Sequence, residues 1–426
     1  MSRLNYKKIK EFLPVFLITC AIALSPAFSI GGIKSATGEI RAIEIRVEDI
    51  LLLILGLIWI SNFLISGREK IGKPPLFFPI LVWLGVSLIG VLTNLIFANI
   101  QANRAFFYFL KEIEFFFLYF YIFYHVKNLN VVRFILKTWV FLALVNVAWI
   151  IFELITGLKI TYYYGPTIFT EPQGSFPSAG FFLIIFIFLF NVLIYYYLKI
   201  NISKFKKVIL AVSIVSLIIG IFAAASRSNF WGLIIVLPLT IFLYLLKERK
   251  IKAFFVSLLV LICATFIFVS ILKDLPNLQR TIDFERIKTA RVSIWKGEVV
   301  DFLKYNPLFS FFGLGKSVML PSAGQESHSQ YMRNFIETGI VGSIAFLFLI
   351  FFIIKKSAEY FLRGKDPLLV GLSAGLLTST VAMLIIAIPA EAFIVIKIAE
   401  VYWFFAALAL VALCIGEKQD NLKIQN

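Results

Sequence analysis

Apolar runs close to 20 residues long, separated by short polar breaks, recur from one end of this chain to the other. A helix of that length crosses a hydrocarbon core about 30 Å thick. The runs at 12–30, 50–65, 76–97, 105–124, 134–155, 181–198, 208–225, 230–246, 253–272, 335–354, 368–388 and 393–415 are therefore predicted transmembrane helices, roughly twelve in number. Only one polar stretch is long, 273–334, between the ninth and tenth runs. The pattern predicts an all-α polytopic membrane protein with a large, partly helical loop at that place. It divides the chain into an N-terminal transmembrane half (1–207), spans seven to nine (208–272), the polar loop (273–334) and spans ten to twelve (335–426).

Composition agrees with this reading and excludes an ordinary soluble domain. Hydrophobic residues make up 60% of the chain and charged residues only 15%, against about 25% charged in a soluble domain. A net charge of +17 would suggest nucleic acid in a soluble protein. Here the basic residues gather on every second break: Arg3, Lys7, Lys8 and Lys10; Arg68, Lys70 and Lys73; Lys127 and Arg133; Lys199, Lys204, Lys206 and Lys207; Lys247, Arg249, Lys250 and Lys252; Lys355, Lys356, Arg363 and Lys365. The positive-inside rule turns that alternation into an orientation with both termini cytoplasmic and 273–334 outside. No soluble basic domain remains to bind nucleic acid. The three cysteines, Cys20, Cys263 and Cys414, fall inside predicted spans and form no disulfide or zinc spacing. The basic N-terminus before the first run imitates a secretory signal, and the spans behind it favour an uncleaved first helix.

The outer segments carry the candidate chemistry. The stretch 31–47 alternates isoleucine with charge and reads as a short amphipathic or extended loop. The stretch 157–179 holds Tyr162, Tyr163 and Tyr164, several helix breakers, and Glu171 before Pro172. It reads either as an interfacial aromatic anchor or as a place where Glu171 meets sugar hydroxyls. Ser226-Arg227-Ser228 is almost the whole link between spans seven and eight, so Arg227 lies near the hydrocarbon boundary as a snorkelling anchor or an anion ligand. In the long loop a helix is predicted over 282–305, with Phe284, Ile287, Lys288, Arg291 and Trp295 on one face and Arg280 one turn earlier. That helix also fits one lying on lipid head groups. The run G-L-G-K-S at 313–317 lacks the spacing of a phosphate loop, and no strand precedes it. Asp283 and Glu285, the one D-x-E outside, can pair with Arg286 or Lys288, and no metal site is expected. His328, one of two histidines, stands in E-S-H-S-Q-Y-M-R-N-F-I-E-T-G-I-V-G (326–342), which runs directly into the tenth predicted span. An imidazole suits proton transfer near neutral pH. The competing role for His328 is capping that helix. His125, on the cytoplasmic edge beside Tyr124, reads as structural.

Taken in order, four of these stretches resemble a known family. A-A-A-S-R-S-N-F-W-G (223–232) resembles its S-R-G-x-x helix start and A-R-V-S-I-W (290–295) its G-R-x-x-x-W. N-P-L-F-S-F-F-G-L-G (306–315) resembles D-P-L-x-G-x-G, and 326–342 resembles H-N-x-Y-L-x-x-x-x-E-x-G-x-x-G. The set is similar to the O-antigen polymerase and O-antigen ligase superfamily over roughly 208–345. Ser228 departs from the usual Gly and Ser329 from the common Asn, and neither removes a charge. F-T-E-P at 169–172 looks more like polysaccharide polymerases than ligases.

The resemblance implies a membrane-embedded, GT-C-type inverting glycosyltransferase. It would be metal-independent and without cofactor, and would act at the periplasmic face of the bacterial inner membrane. Donor and acceptor would be oligosaccharides on undecaprenyl pyrophosphate among membrane lipids, with a chain-length regulator as a possible protein partner. It implies His328, Arg227 and Arg291 as catalytic residues, and Arg280, Arg286, Glu171 and Tyr331 as contacts to substrate. Transfer of finished glycan to lipid A core or to protein, the ligase activity, is the alternative. A lipid-linked oligosaccharide flippase is a third reading. Against it, Glu153 and Lys397 are the main intramembrane charges and neither half of the chain repeats the other.

Overall fold

Backbone groups inside a bilayer have no water to bond, so an apolar run is obliged to close its hydrogen bonds within itself as a helix. The computed structural model describes residues 3–24, 27–34, 40–66, 73–98, 101–156, 176–197, 203–223, 227–250, 255–259, 262, 284–318 and 328–425. Among these, every regular element is helical apart from one antiparallel hairpin, Ala27–Lys34 against Ile40–Arg46. The long helices are Arg3–Leu24, Val47–Ser66, Phe77–Thr93, Ala102–His125, Leu129–Thr156, Phe176–Val192, Lys204–Ala223, Arg227–Lys247, Phe284–Phe302, Gln330–Arg363, Pro367–Ile386 and Ile396–Gln425. Five helical stretches among the described residues are long and apolar enough to cross a membrane: Phe77–Ala98, Leu129–Trp149, Gln330–Arg363, Pro367–Ile386 and Ile396–Gln419. Shorter apolar helices accompany them, and the chain is a multi-pass membrane protein.

Two expectations change. The first helix stops at Leu24, and residues 27–30, expected inside the first span, belong to the hairpin instead. Pro26 has no N–H to donate and biases its predecessor out of the α region, a sequence reason for a helix end just before it, although the same helix carries Pro14 in its interior. Within the stretch 31–47, read as an amphipathic or extended loop, residues 31–34 and 40–46 are the extended strands of that hairpin, with a register shift between Ser29 and Gly31, and Val47 opens the next helix. The helix expected over 282–305 is present as Phe284–Phe302. The predicted span 253–272 lies largely outside the described residues.

The chain forms two compact units. The first comprises Met1–Thr138, Thr289–Ile353 and Ala406–Ile415; the second comprises Trp139–Lys288, Ile354–Phe405 and Gly416–Asn426. In the first, Val91, Ala105, Phe109, Phe302, Phe309, Leu314, Val318 and Ile336 make one buried cluster. It fastens the segment 302–318 to the membrane helices that begin and end near it. In the second, Pro367–Ile386 is the buried axis. Glycines let neighbouring helices approach it closely, since a Cβ on Gly375 would sit 2.9 Å from the Phe188 ring. Polar side chains tie the same helix to its neighbours: Asn191 Nδ2 donates to Thr378 Oγ1 at 3.1 Å, and Thr380 Oγ1 meets the Tyr402 hydroxyl at 2.8 Å. Lys247 Nζ reaches the carbonyls of Phe361, Leu362 and Gly364 at 2.7, 3.0 and 3.0 Å. It thereby closes the C-terminal end of Gln330–Arg363, where carbonyls have no helical partner.

Candidate functional site: a glycine loop seated in a broken helix

Asn306 opens the short helix Pro307–Phe312. Its side chain accepts from the Leu308 N–H at 2.9 Å, and Pro307 occupies the first turn, where a missing N–H costs nothing. Gly313, with φ +76°, ends it. A Cβ there would lie 2.2 Å from the backbone carbon of Glu337. The loop that follows is thus pressed against the polar start of Gln330–Arg363.

That start is not continuous with the rest of its helix, although the sequence pattern reads as one running element. Gly339 has φ 65° and ψ −166°, a conformation reached almost only by glycine. The break has a hydrogen-bonding consequence. In an unbroken helix the carbonyls of Ile336 and Glu337 would each be engaged by the N–H four residues on. Here they accept from Leu314 N at 2.8 Å and Gly315 N at 2.9 Å. The loop 313–317 completes the helix it interrupts.

Side chains lock the same joint. Glu337, about 1% exposed, accepts through Oε1 from the Ser317 N–H at 2.6 Å and from Arg333 Nε, and its Oε2 stands 3.8 Å from Lys316 Nζ. Lys316, 3% exposed, bonds Glu112 Oε1 at 2.9 Å and lies 4.3 Å from the centre of the Trp83 ring. Trp83 Nε1 donates to that same Glu112 oxygen at 2.8 Å. Arg104 Nε donates to Ser317 Oγ at 3.2 Å. Lys316 is therefore a buried counter-ion between two carboxylates, which is how a charge persists away from water. Its ammonium is committed to them, and this agrees with the absence of phosphate-loop spacing in G-L-G-K-S.

His328 sits just ahead of the clasped segment. It is exposed, with φ 47°, an uncommon backbone state for a residue other than glycine. Behind it Ser329 and Gln330 are buried, at 3% and 1% exposed. The Ser329 carbonyl accepts from Arg333 N at 2.9 Å, which puts Ser329 at the cap position. Gln330 Nε2 donates to Asn334 Oδ1 at 2.8 Å, and Thr338 Oγ1 to the Asn334 carbonyl at 2.7 Å. An exposed imidazole thus stands on a polar helix head held by side-chain and main-chain hydrogen bonds.

The other predicted residues fall as follows. Tyr331 is half-buried on the first turn after His328. Arg291 and Arg286 lie on Phe284–Phe302, and Arg227 is the first residue of Arg227–Lys247. Arg227 belongs to the second unit, and Arg291, His328 and Tyr331 to the first. Arg280 and Glu171 lie outside the described residues. His125 ends Ala102–His125, stacked on Tyr121 with ring centres 3.9 Å apart, as a structural residue would be. Glu337, Lys316, Glu112, Arg333 and Trp83 were not singled out as a site by sequence. Signals were present at Glu112, since a carboxylate in an apolar run calls for a partner, at Glu337 as the motif carboxylate, and at Lys316 in G-L-G-K-S.

Residues 211–347 match the family model described as O-Antigen ligase. The matched segment contains Arg227, Arg291, His328, Lys316 and Glu337. No curated protein matches the chain.

Proposed function

For a chain whose residues 211–347 match the family model described as O-Antigen ligase, we propose the activity of a glycan polymerase. It joins oligosaccharide repeat units carried on undecaprenyl pyrophosphate, by inverting glycosyl transfer at the periplasmic face of the bacterial inner membrane. The observation that carries this reading is the exposed His328, with φ 47°, at the head of a buried polar segment inside the matched region.

In this reading an acceptor sugar hydroxyl attacks the anomeric carbon of the donor while His328 takes its proton, a general-base contribution of about 10² to 10⁴ in rate. The bond from that carbon to the pyrophosphate oxygen breaks, and the lipid pyrophosphate leaves with the electron pair. Arg227 and Arg291 receive the growing negative charge. Guanidinium groups stay protonated and bind phosphate oxygens in pairs, so they need no metal ion for this task. Because leaving-group charge develops toward the transition state, the arginines contribute more to turnover than to donor binding. Arg280, Arg286, Glu171 and Tyr331 contact the two lipid-linked glycans. The same reading takes the basic loops, and with them both termini, as cytoplasmic, which puts these groups on the periplasmic side.

The description of the matched family favours a second reading, transfer of finished glycan to lipid A core or protein. The two separate in one reaction. Purified protein receives undecaprenyl-pyrophosphate glycan extracted from cells deleted for its gene, with chelator and no other acceptor. A ladder of lengthening glycans on a gel is the expected result; transfer only after lipid A core is added overturns the polymerase in favour of the ligase.

A further inference from the structure

We propose that Glu337 is a positioning residue for His328, acting through the loop 313–317 that it grips. The inference rests on His328 being the general base. Three observations support it. The head of the helix, 330–338, is separated from the lipid-spanning part by the break at Gly339, so the long helix cannot by itself fix the direction of the head. The bonds that anchor the head across that break come from the loop: Leu314 N and Gly315 N to the main chain, and Ser317 N to the Glu337 carboxylate. The loop in turn is tied to the membrane helices by Lys316 on Glu112, with Trp83 over the ammonium, and by Arg104 on Ser317.

Among the described residues, the Glu337 side chain joins the loop, its lysine and the head. It holds the Ser317 amide, faces Lys316, and receives Arg333 from the head itself. It lies more than two turns from His328 along the chain, and its carboxylate is engaged by these groups, so no proton transfer is assigned to it. Its contribution is the angle at which His328 meets the acceptor hydroxyl. Misplacing a reacting group by about 1 Å can cost about 10²-fold in rate.

The test compares Glu337→Gln with wild type, with His328→Ala, and with Lys304→Ala, an exposed control paired with Asp301 one turn away. Full-length protein is assayed with the extracted lipid-linked glycan, and amide hydrogen exchange is followed at Leu314, Gly315 and Ser317. Glu337→Gln keeps the shape and loses the charge. It is expected to lower kcat by about 10- to 10²-fold, to leave the donor KM within about 3-fold, and to speed exchange at the three amides. The control moves none of these. Wild-type kcat in Glu337→Gln together with faster loop exchange overturns the proposal, as does a raised KM at unchanged kcat, which would make Glu337 a binding group. Full turnover by His328→Ala would instead overturn the general-base reading itself, so the two failures are distinct. If Glu337→Gln does not fold, Arg333→Met and Lys316→Met face the same two criteria.

Discussion

Replacing Gly339 by Ala adds one methyl group at the place where the structure tolerates it least. The new Cβ would lie 2.3 Å from the Phe311 carbonyl carbon and oxygen and 2.6 Å from the Phe312 nitrogen. All are backbone atoms that cannot rotate away. The backbone state at Gly339 adds a strain of about 1–3 kcal/mol for any residue with a Cβ. Relieving the clash means withdrawing the loop from the carbonyls of Ile336 and Glu337. Two hydrogen bonds worth about 0.5–1.5 kcal/mol each are then lost, and their buried groups are left unpaired. Against this, alanine gains roughly 0.4–1 kcal/mol by restricting the unfolded chain. The net loss is about 3 kcal/mol. For a unit of this size that corresponds to about 6–12 °C in Tm, measured by thermal unfolding in detergent with intrinsic fluorescence. Gly85→Ala is the matched control, because a Cβ on Gly85 meets nothing within 4 Å. It should be neutral, or stabilising by up to ~1 kcal/mol, as alanine is in a helix. Equal Tm for Gly339→Ala and wild type, or equal losses for both glycines, would refute the reasoning.

Other outcomes can be checked alongside. His328→Ala should reduce glycan extension by at least about 10²-fold with an unchanged Tm, since the side chain is exposed; a lowered Tm would assign the histidine to helix capping. Glu112→Leu strips Lys316 of its nearest carboxylate and should cost about 3–5 kcal/mol. The double change with Lys316→Met should cost less than Glu112→Leu alone, a reversal that a double-mutant cycle on Tm detects. Lys247→Met exposes three carbonyls at the end of Gln330–Arg363 and should cost about 1–3 kcal/mol, visible as faster amide exchange in that last turn.

The parts of the fold that follow from a local rule were legible in the sequence. Span positions come from the need to close every backbone hydrogen bond in lipid, and the helix Phe284–Phe302 from its 3.6-residue period. The hairpin was not legible, because Ala27, Phe28 and Ile30 extend an apolar run whose hydropathy is indifferent to backbone shape. Pro26 was the available sign. The joint at Gly339 was hidden for a different reason. Its glycine stands in a pattern that is helical on both sides, and the partner that fills the break is the loop at 313–315. Lys316 and Glu112, 204 positions apart, lie beyond any periodicity. His328 could be singled out because histidine is rare here and its chemistry is specific. Glu337 was visible only as the carboxylate of the resembled motif, because what it holds is unknown until its donors are seen.

The break at Gly339 also bears on how the protein meets bilayers of different thickness. A spanning helix adapts to a thicker or thinner hydrocarbon layer by tilting. In a continuous helix every degree of tilt would swing the aqueous end through the same angle and carry His328 with it. Here the part in lipid joins the head at a single glycine, and the head is tied to a loop anchored on Ala102–His125 and Phe77–Thr93. A lean of the spanning part would then pass to His328 only through one glycine and a head whose heading is set by the loop, and not rigidly along a single helix.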